Sequence, residues 1–310
     1  MKQSVRAFAP ATVANAISGF DVLGFALEKP GDIVTCSVSN RGGIRIAPLK
    51  HPYDKLPTDP TLNTAGVAVQ ALLDAHQLQV GLDLVIDKGV PIVGGMGSSA
   101  SSAVAAVVAV KELLELPGSN IDLLPFVLES ERVATGVPHA DNAAPSLMGG
   151  FSLVRSVDPL DIITIDMPKT FACALVHPHM QIRTRDAREI LPQQISMKSA
   201  TRQMGHISGF ITGMFTGDLA LISRSLVDEL AEPHRSKLIP GYAEVKAAAL
   251  EKGALGCGIS GSGPSMFALC ATEEIARSAR VAMQSAFQKV NLESDGYLSG
   301  ISKLGAHVVE

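Results

Sequence analysis

"PIVGGMGSSASSAVAAVVAV", from Pro91 to Val110, is the stretch from which the rest of this chain is best read. It sets Gly94, Gly95 and Gly97 close together, follows them with Ser98, Ser99, Ser101 and Ser102, and continues in alanine and valine alone. A strand-like run, LDLVI at 82–86, precedes it, and a helix opening at Ser98 is expected to stop near Leu116, before Pro117 and Gly118. Glycine lacks Cβ and tolerates positive φ, so successive N–H groups can converge on one anion. The helix N-terminus adds unpaired donors and about half a positive charge. The serine hydroxyls are further donors or Mg²⁺ ligands, and the alanines behind them permit close helix packing. The pattern predicts a phosphate cradle. It is not a Walker loop, because no lysine follows the last glycine, nor is it the G-x-G-x-x-G dinucleotide fingerprint. A glycine-rich helix entry with serine caps and no ligand is the alternative that this stretch alone leaves open.

The 310 residues suffice for a substantial core and for two domains. A hydrophobic share of 46% against 18% charged fits a folded protein. The net charge of −4, the lack of a Lys/Arg stripe and the absence of Trp argue against a nucleic-acid partner. The longest apolar run, Ala103 to Val110, is far below the about 18 residues that span a bilayer, which argues against a membrane partner. The N-terminal "AFAPATVANA" is broken by Pro10, Thr12 and Asn15 and does not read as a signal peptide. A soluble, cytoplasmic protein is expected. Cys36, Cys173, Cys257 and Cys270 have no paired spacing and read as free buried thiols.

Strands are expected at 33–38, 82–86, 149–156, 161–167, 171–178 and 265–270. Helices are expected at 61–78, with Val67, Ala71, Leu72 and Ala75 recurring at helical spacing, and at 122–134, stopped by Gly136. Further helices are expected within 200–226, at 242–253 and at 273–289. This mixture indicates an α+β protein with two parts, 1–165 and 166–310.

"PIVGGMGSSASS" resembles the phosphate-binding motif of the GHMP kinase superfamily, with Met96 where leucine is usual. Two more segments stand in the family's order: "PATVANAISGFDVLGFAL" (10–27) and "GCGISGSGPSMFAL" (256–269). "GVPHADNAAPSLMGGF" (136–151), "TRDAREILP" (184–192) and "AEPHR" (231–235) resemble the branch that phosphorylates L-homoserine on its side-chain hydroxyl. Ala16-Ile17-Ser18 departs from the common Leu-Gly-Pro and is expected to reshape that loop while sparing Asn15 and Asp21. The resemblance implies the α+β two-domain GHMP kinase fold, with a first half like ribosomal protein S5 domain 2 and a ferredoxin-like α/β second half. It implies ATP and Mg²⁺ as cofactors, and O-phospho-L-homoserine, an intermediate of threonine biosynthesis, as product. Whether L-threonine is a feedback inhibitor and whether the chain is a homodimer both stay open.

By the same resemblance, ATP is held by Pro91, Ile92, Val93, Gly94, Gly95, Met96, Gly97, Ser98, Ser99, Ala100 and Ser101, with Asn63 near the adenine. Ser98 and Glu131 are assigned to Mg²⁺, a donor set of one hydroxyl and one carboxylate that suits this ion beside phosphate oxygens. Homoserine carries an ammonium, a carboxylate and a neutral hydroxyl, and so calls for an acid, arginine forks and a polar group. These roles fall to Asp21 for the ammonium, Arg188 and Arg235 for the carboxylate, and Asn15 and Asn142 for the other polar atoms, with His139 and Thr184 nearby. No Asp–Lys pair stands ready as a base, and a loose phosphoryl transfer needs positioning more than early proton removal. Asn142, Glu131 and Ser98 are therefore the expected catalytic set, with Asp141 the alternative base. Segment 256–269 is either a tight turn against the first glycine loop or a plain strand connection. His177 and His179 read as a turn rather than a metal site. A mevalonate- or sugar-type kinase and a non-catalytic nucleotide or amino-acid sensor are the rival functions. Mevalonate lacks the ammonium that Asp21 awaits, and sugars lack the carboxylate.

Overall fold

The computed structural model describes residues 3–50, 56–166 and 170–310. The chain opens with an antiparallel pair, β1 (Ser4–Ala14) and β2 (Leu23–Ser39), whose register shifts between Pro10 and Thr12. Next come β3 (Ile44–Ile46), α1 (Thr64–Ala75), β4 (Gly81–Asp87), α2 (Ser98–Leu113), α3 (Leu124–Thr135) and α4 (Ala140–Met148). β5 (Phe151–Val157) and β6 (Leu160–Ile165) form a hairpin, and β5 adds to the start of β2. The second part holds β7 (Ala172–Pro178), α5 (Thr184–Glu189), α6 (Met197–Thr216), α7 (Leu219–Ser225), α8 (Glu232–Arg235) and α9 (Tyr242–Glu251). It ends with β8 (Gly256–Ile259), β9 (Met266–Cys270), α10 (Glu273–Lys289), β10 (Ser294–Gly300) and β11 (His307–Val309).

The strands form two sheets. The first runs β11-β1-β2-β4-β3 with the β5–β6 hairpin attached, and the second runs β10-β7-β9-β8. β11 thus crosses back to the first sheet, where Val309 faces Arg6. The alanine-valine run of α2 is buried throughout, because small side chains let that helix lie against α1, β1 and β2 together. A cluster of Phe25, Phe151, Phe210 and Phe267 joins the two sheets, with Phe25 at 4.7 Å from Phe151 and 5.7 Å from Phe267. Burial of such rings, with the aliphatic residues of the same cluster, stabilises the contact between the two sheets.

The expected strands and helices are present, most with bounds moved by a few residues, whereas the strand expected at 33–38 is the second half of β2, which begins ten residues earlier at Leu23. Met167, at the end of the expected 161–167 strand, lies outside the described residues. The helix α1 buries Ala65, Gly66, Ala68, Val69, Leu72 and Leu73, so that of the four residues recurring at helical spacing in the sequence only Leu72 is buried. Small residues face α2 because that contact is close, so volume outweighs hydrophobicity. Segment 140–148 is a helix despite Pro145. All four cysteines are free and buried. Among the described residues, no helix is long and apolar enough to cross a membrane.

Candidate active site

A cavity of about 460 Å³ opens between the glycine loop that follows β4 and the loops of the second sheet. Gly95 and Gly97 hold φ of +74° and +67°, conformations that side chains rarely adopt. A Cβ on Gly97 would stand 2.1 Å from Thr12 Oγ1 and 2.9 Å from Asn142 Oδ1, so only glycine lets the loop rest there. Ile92, Val93, Gly94, Gly95, Gly97, Ser98 and Ser99 line the cavity at the mouth of α2. Pro91, Met96, Ala100 and Ser101 do not. Met96 and Ala100 are core residues, and the buried Ser101 hydroxyl donates to the Ala9 carbonyl at 2.8 Å, anchoring α2 to β1. Ser102 lines the cavity, one turn into the helix. Asn63 also lines it, and its side chain caps α1 by accepting from Ala65 N–H at 3.0 Å.

Beneath the loop lies a network that the sequence reading missed. The Lys88 ammonium, 3% exposed, pairs with the fully buried Asp32 and donates to the Ser98 carbonyl and the Ser102 hydroxyl, both at 2.9 Å. Three acceptors consume its three donors. Asp32 also accepts from the N–H groups of Gly89 and Val90, each at 3.0 Å, and from the Ser102 hydroxyl at 2.7 Å. Burial pushes the Lys88 pKa down, with Asp32 opposing. Lys88, which also lines the cavity, is therefore a brace under the first turn of α2, with its three donors committed to protein acceptors.

At the other end of the cavity stand the residues expected to meet an amino acid. Asn15, Ala16, Ile17 and Asp21 all have positive φ, so the altered Ala16-Ile17-Ser18 segment turns tightly without glycine. Asn15 Oδ1 accepts from Asp21 N–H at 3.0 Å, and its amide donates to the Gly261 carbonyl at 2.9 Å. Arg188 Nη2 donates to both oxygens of Asp21, at 2.8 and 2.9 Å. Arg235 is buried; its Nε donates to Ala187 O and its Nη1 to Gly261 O. The Phe20 ring sits under both guanidinium groups, at 5.8 Å from Arg188 and 5.3 Å from Arg235, a cation–π platform. Thr184 lines the same cavity, its hydroxyl 3.4 Å from that of Ser262.

α4 brings the remaining groups. Thr12 Oγ1 donates to Asn142 Oδ1 at 2.8 Å, which assigns the amide NH₂ of Asn142 as the donor still available. Thr12 was not legible as a partner. His139 caps the helix start with Nδ1 3.6 Å from the buried Glu131 carboxylate. Burial works against charging His139, but Glu131 and Asp141 outweigh it and its pKa is raised. Asp141 is pushed up to about 6, by burial first and the Asp21 charge second. Among the described residues, no group of three or more His, Cys, Asp or Glu could hold a metal by itself. Glu131 and Ser98 both line the cavity, and one carboxylate with one hydroxyl fits an ion that arrives with phosphate oxygens.

One cavity lined both by this glycine loop and by the charged Asp21, Arg188 and Arg235 is the arrangement expected of a small-molecule kinase of the GHMP class. The GHMP kinases N terminal domain matches residues 63–150, and the GHMP kinases C terminal domain matches residues 208–289. A homoserine kinase of Chlorobium phaeovibrioides is 47% identical, the match covering 99% of this chain and 100% of the relative. The crystal structure of homoserine kinase from Cytophaga hutchinsonii superposes with a TM-score of 0.96 at 45% identity, covering 100% of this chain and 98% of that one. L. major mevalonate kinase shares the fold alone, with a TM-score of 0.74 at 15% identity over 97% of each chain. The chain belongs to the homoserine kinase family.

Proposed function

We propose that the protein transfers the γ-phosphoryl group of ATP to the side-chain hydroxyl of L-homoserine, giving O-phospho-L-homoserine. The observation that carries this reading is one cavity lined at once by the Gly94–Ser99 loop and by Asp21, Arg188 and Arg235. The loop N–H groups and the start of α2 receive the phosphates, and Asn63 lies on the adenine side. Asp21 takes the ammonium, Arg188 and Arg235 take the carboxylate, and Asn15, His139 and Thr184 border the substrate. The Asn142 amide, oriented by Thr12, donates to the acceptor hydroxyl and holds its oxygen toward phosphorus. Glu131 and Ser98 would hold Mg²⁺, which supplies charge neutralisation on the phosphates. Proton loss can follow phosphorus–oxygen bond formation in a loose transfer, so positioning and fixed donors do most of the catalysis. Residues 1–165 in this reading carry the phosphate loop, and 166–310 complete the substrate pocket.

Release of ADP across homoserine, mevalonate, shikimate and galactose tests this. Turnover is expected with homoserine alone. Turnover with mevalonate and none with homoserine would overturn the substrate assignment.

A further inference from the structure

The glycine-rich segment between β8 and β9 touches both ends of the cavity. Toward the phosphate loop, the Ser260 hydroxyl donates to the Gly95 carbonyl at 2.7 Å, and Ser265 N–H donates to the Gly94 carbonyl at 3.3 Å. The approach is close: a Cβ on Gly95 would stand 2.3 Å from the Ser260 carbonyl. Toward the amino-acid end, the Gly261 carbonyl accepts from Asn15 Nδ2 at 2.9 Å and Arg235 Nη1 at 3.0 Å, and Gly261 N–H donates to Ala14 O at 3.2 Å. Ser260 is fully buried. A single planar peptide unit therefore separates the grip on the phosphate loop from the grip on Asn15 and Arg235.

We infer that Ser260 is a positioning residue that sets the distance between the phosphoryl donor and the acceptor hydroxyl. This rests on the reaction proposed above. Ser260 does not line the cavity; it acts through Gly95. Without its hydroxyl the Gly95 carbonyl loses that donor, and the loop shifts relative to Asn15 and Arg235. Each substrate keeps its own contacts, but the reacting atoms lose their alignment. Water then competes as acceptor: its oxygen bonds to the γ-phosphorus, the bond to the ADP oxygen breaks, and inorganic phosphate, ADP and a proton leave.

The test compares ADP with O-phospho-L-homoserine formed by the full-length protein. Wild type is expected to form them one to one. In Ser260→Ala, transfer should fall about 10- to 100-fold in kcat while both KM values stay within about threefold, since misplacement of the order of 1 Å costs that much. ADP should exceed phosphohomoserine. Ser260→Cys, similar in volume and a weaker donor, is measured alongside and should also give excess ADP, so that the test survives misfolding of the alanine variant. One-to-one products at wild-type kcat in the folded variants would overturn the role. So would one-to-one products with both KM values raised, which marks a generally loosened site. If wild type makes no phosphohomoserine, the proposed reaction fails, whatever the role of Ser260.

Discussion

At the glycine-loop end of the cavity the polar groups are backbone N–H groups and serine hydroxyls, set by positive φ and braced from below by Lys88 and Asp32. At the opposite end the groups are charged side chains. Asp21 and Arg188 are 37% and 32% exposed and pair with each other, while Arg235 is held by two carbonyls. Geometry is fixed in advance at the first end, where, in the proposed reaction, the ligand brings the charge. At the second end the protein brings the charge, and two of its three charged groups stay within reach of water. A polyanion needs many weak, well-aimed donors, whereas a zwitterion needs two opposite charges at a set separation.

Removing the brace should produce the largest effect. Asp32→Ala strands a buried ammonium, and breaking a buried pair from one side costs about 3–5 kcal/mol of folding stability. Chemical denaturation measures this, and adding Lys88→Met should recover part of the loss. Strictly additive losses would show that the brace is not a pair.

Arg235→Leu comes next. Losing a desolvated guanidinium from a carboxylate site costs about 2–5 kcal/mol, roughly 30- to several-thousand-fold in kcat/KM for homoserine. The KM for ATP should hold. A rise in that KM alone would place Arg235 at the wrong end of the cavity.

Asp141 gives a smaller, pH-dependent effect. Its carboxyl, pushed up to about 6 from an ordinary 3.8, binds a proton more tightly when folded. The stability this contributes is full below the ordinary value and is lost as pH rises through about 6. Asp141→Asn stays neutral throughout, so it should raise stability at pH 7.5 by about 3 kcal/mol and change little at pH 4. Thermal melts at the two pH values decide it; an equal shift at both would remove the titration of Asp141 as the cause.

Arg188→Leu should disturb folding least. A pair this exposed adds about 0–1 kcal/mol, so Tm should hardly move while the KM for homoserine rises. A large fall in Tm would show that the pair with Asp21 is structural.

Local chemistry was legible in the sequence, and long-range pairing was not. The glycines and serines of 94–102 are contiguous, so the loop and the start of α2 could be read directly. Asn15, Asp21, Glu131, Arg188 and Arg235 were reached through resemblance to a family; nothing in their spacing brings them together. The Lys88–Asp32 and Thr12–Asn142 contacts span 56 and 130 positions, and a lone lysine beside a strand gives no local sign of a brace. Ser101 misled because its hydroxyl looks like its neighbours', yet helical rotation turns it toward the Ala9 carbonyl. Helix α4, which was not read from the sequence, carries Pro145 in its interior and is supported by tertiary contacts with β1, β2 and β5.

The return of β11 to β1 has a consequence for the order of synthesis. Arg6 bonds to the Glu310 carbonyl across 304 positions, and Ala306 N–H bonds to Ser146 O on the helix that carries Asp141 and Asn142. While the ribosome is still translating the second half, the first sheet has an unpaired edge at β1, the kind of edge that recruits foreign strands. Helix α4 meanwhile lacks one of its ties. β1 gains β2 early but waits for β11, so a nascent chain has every residue of the glycine loop in place long before the β1 edge is covered.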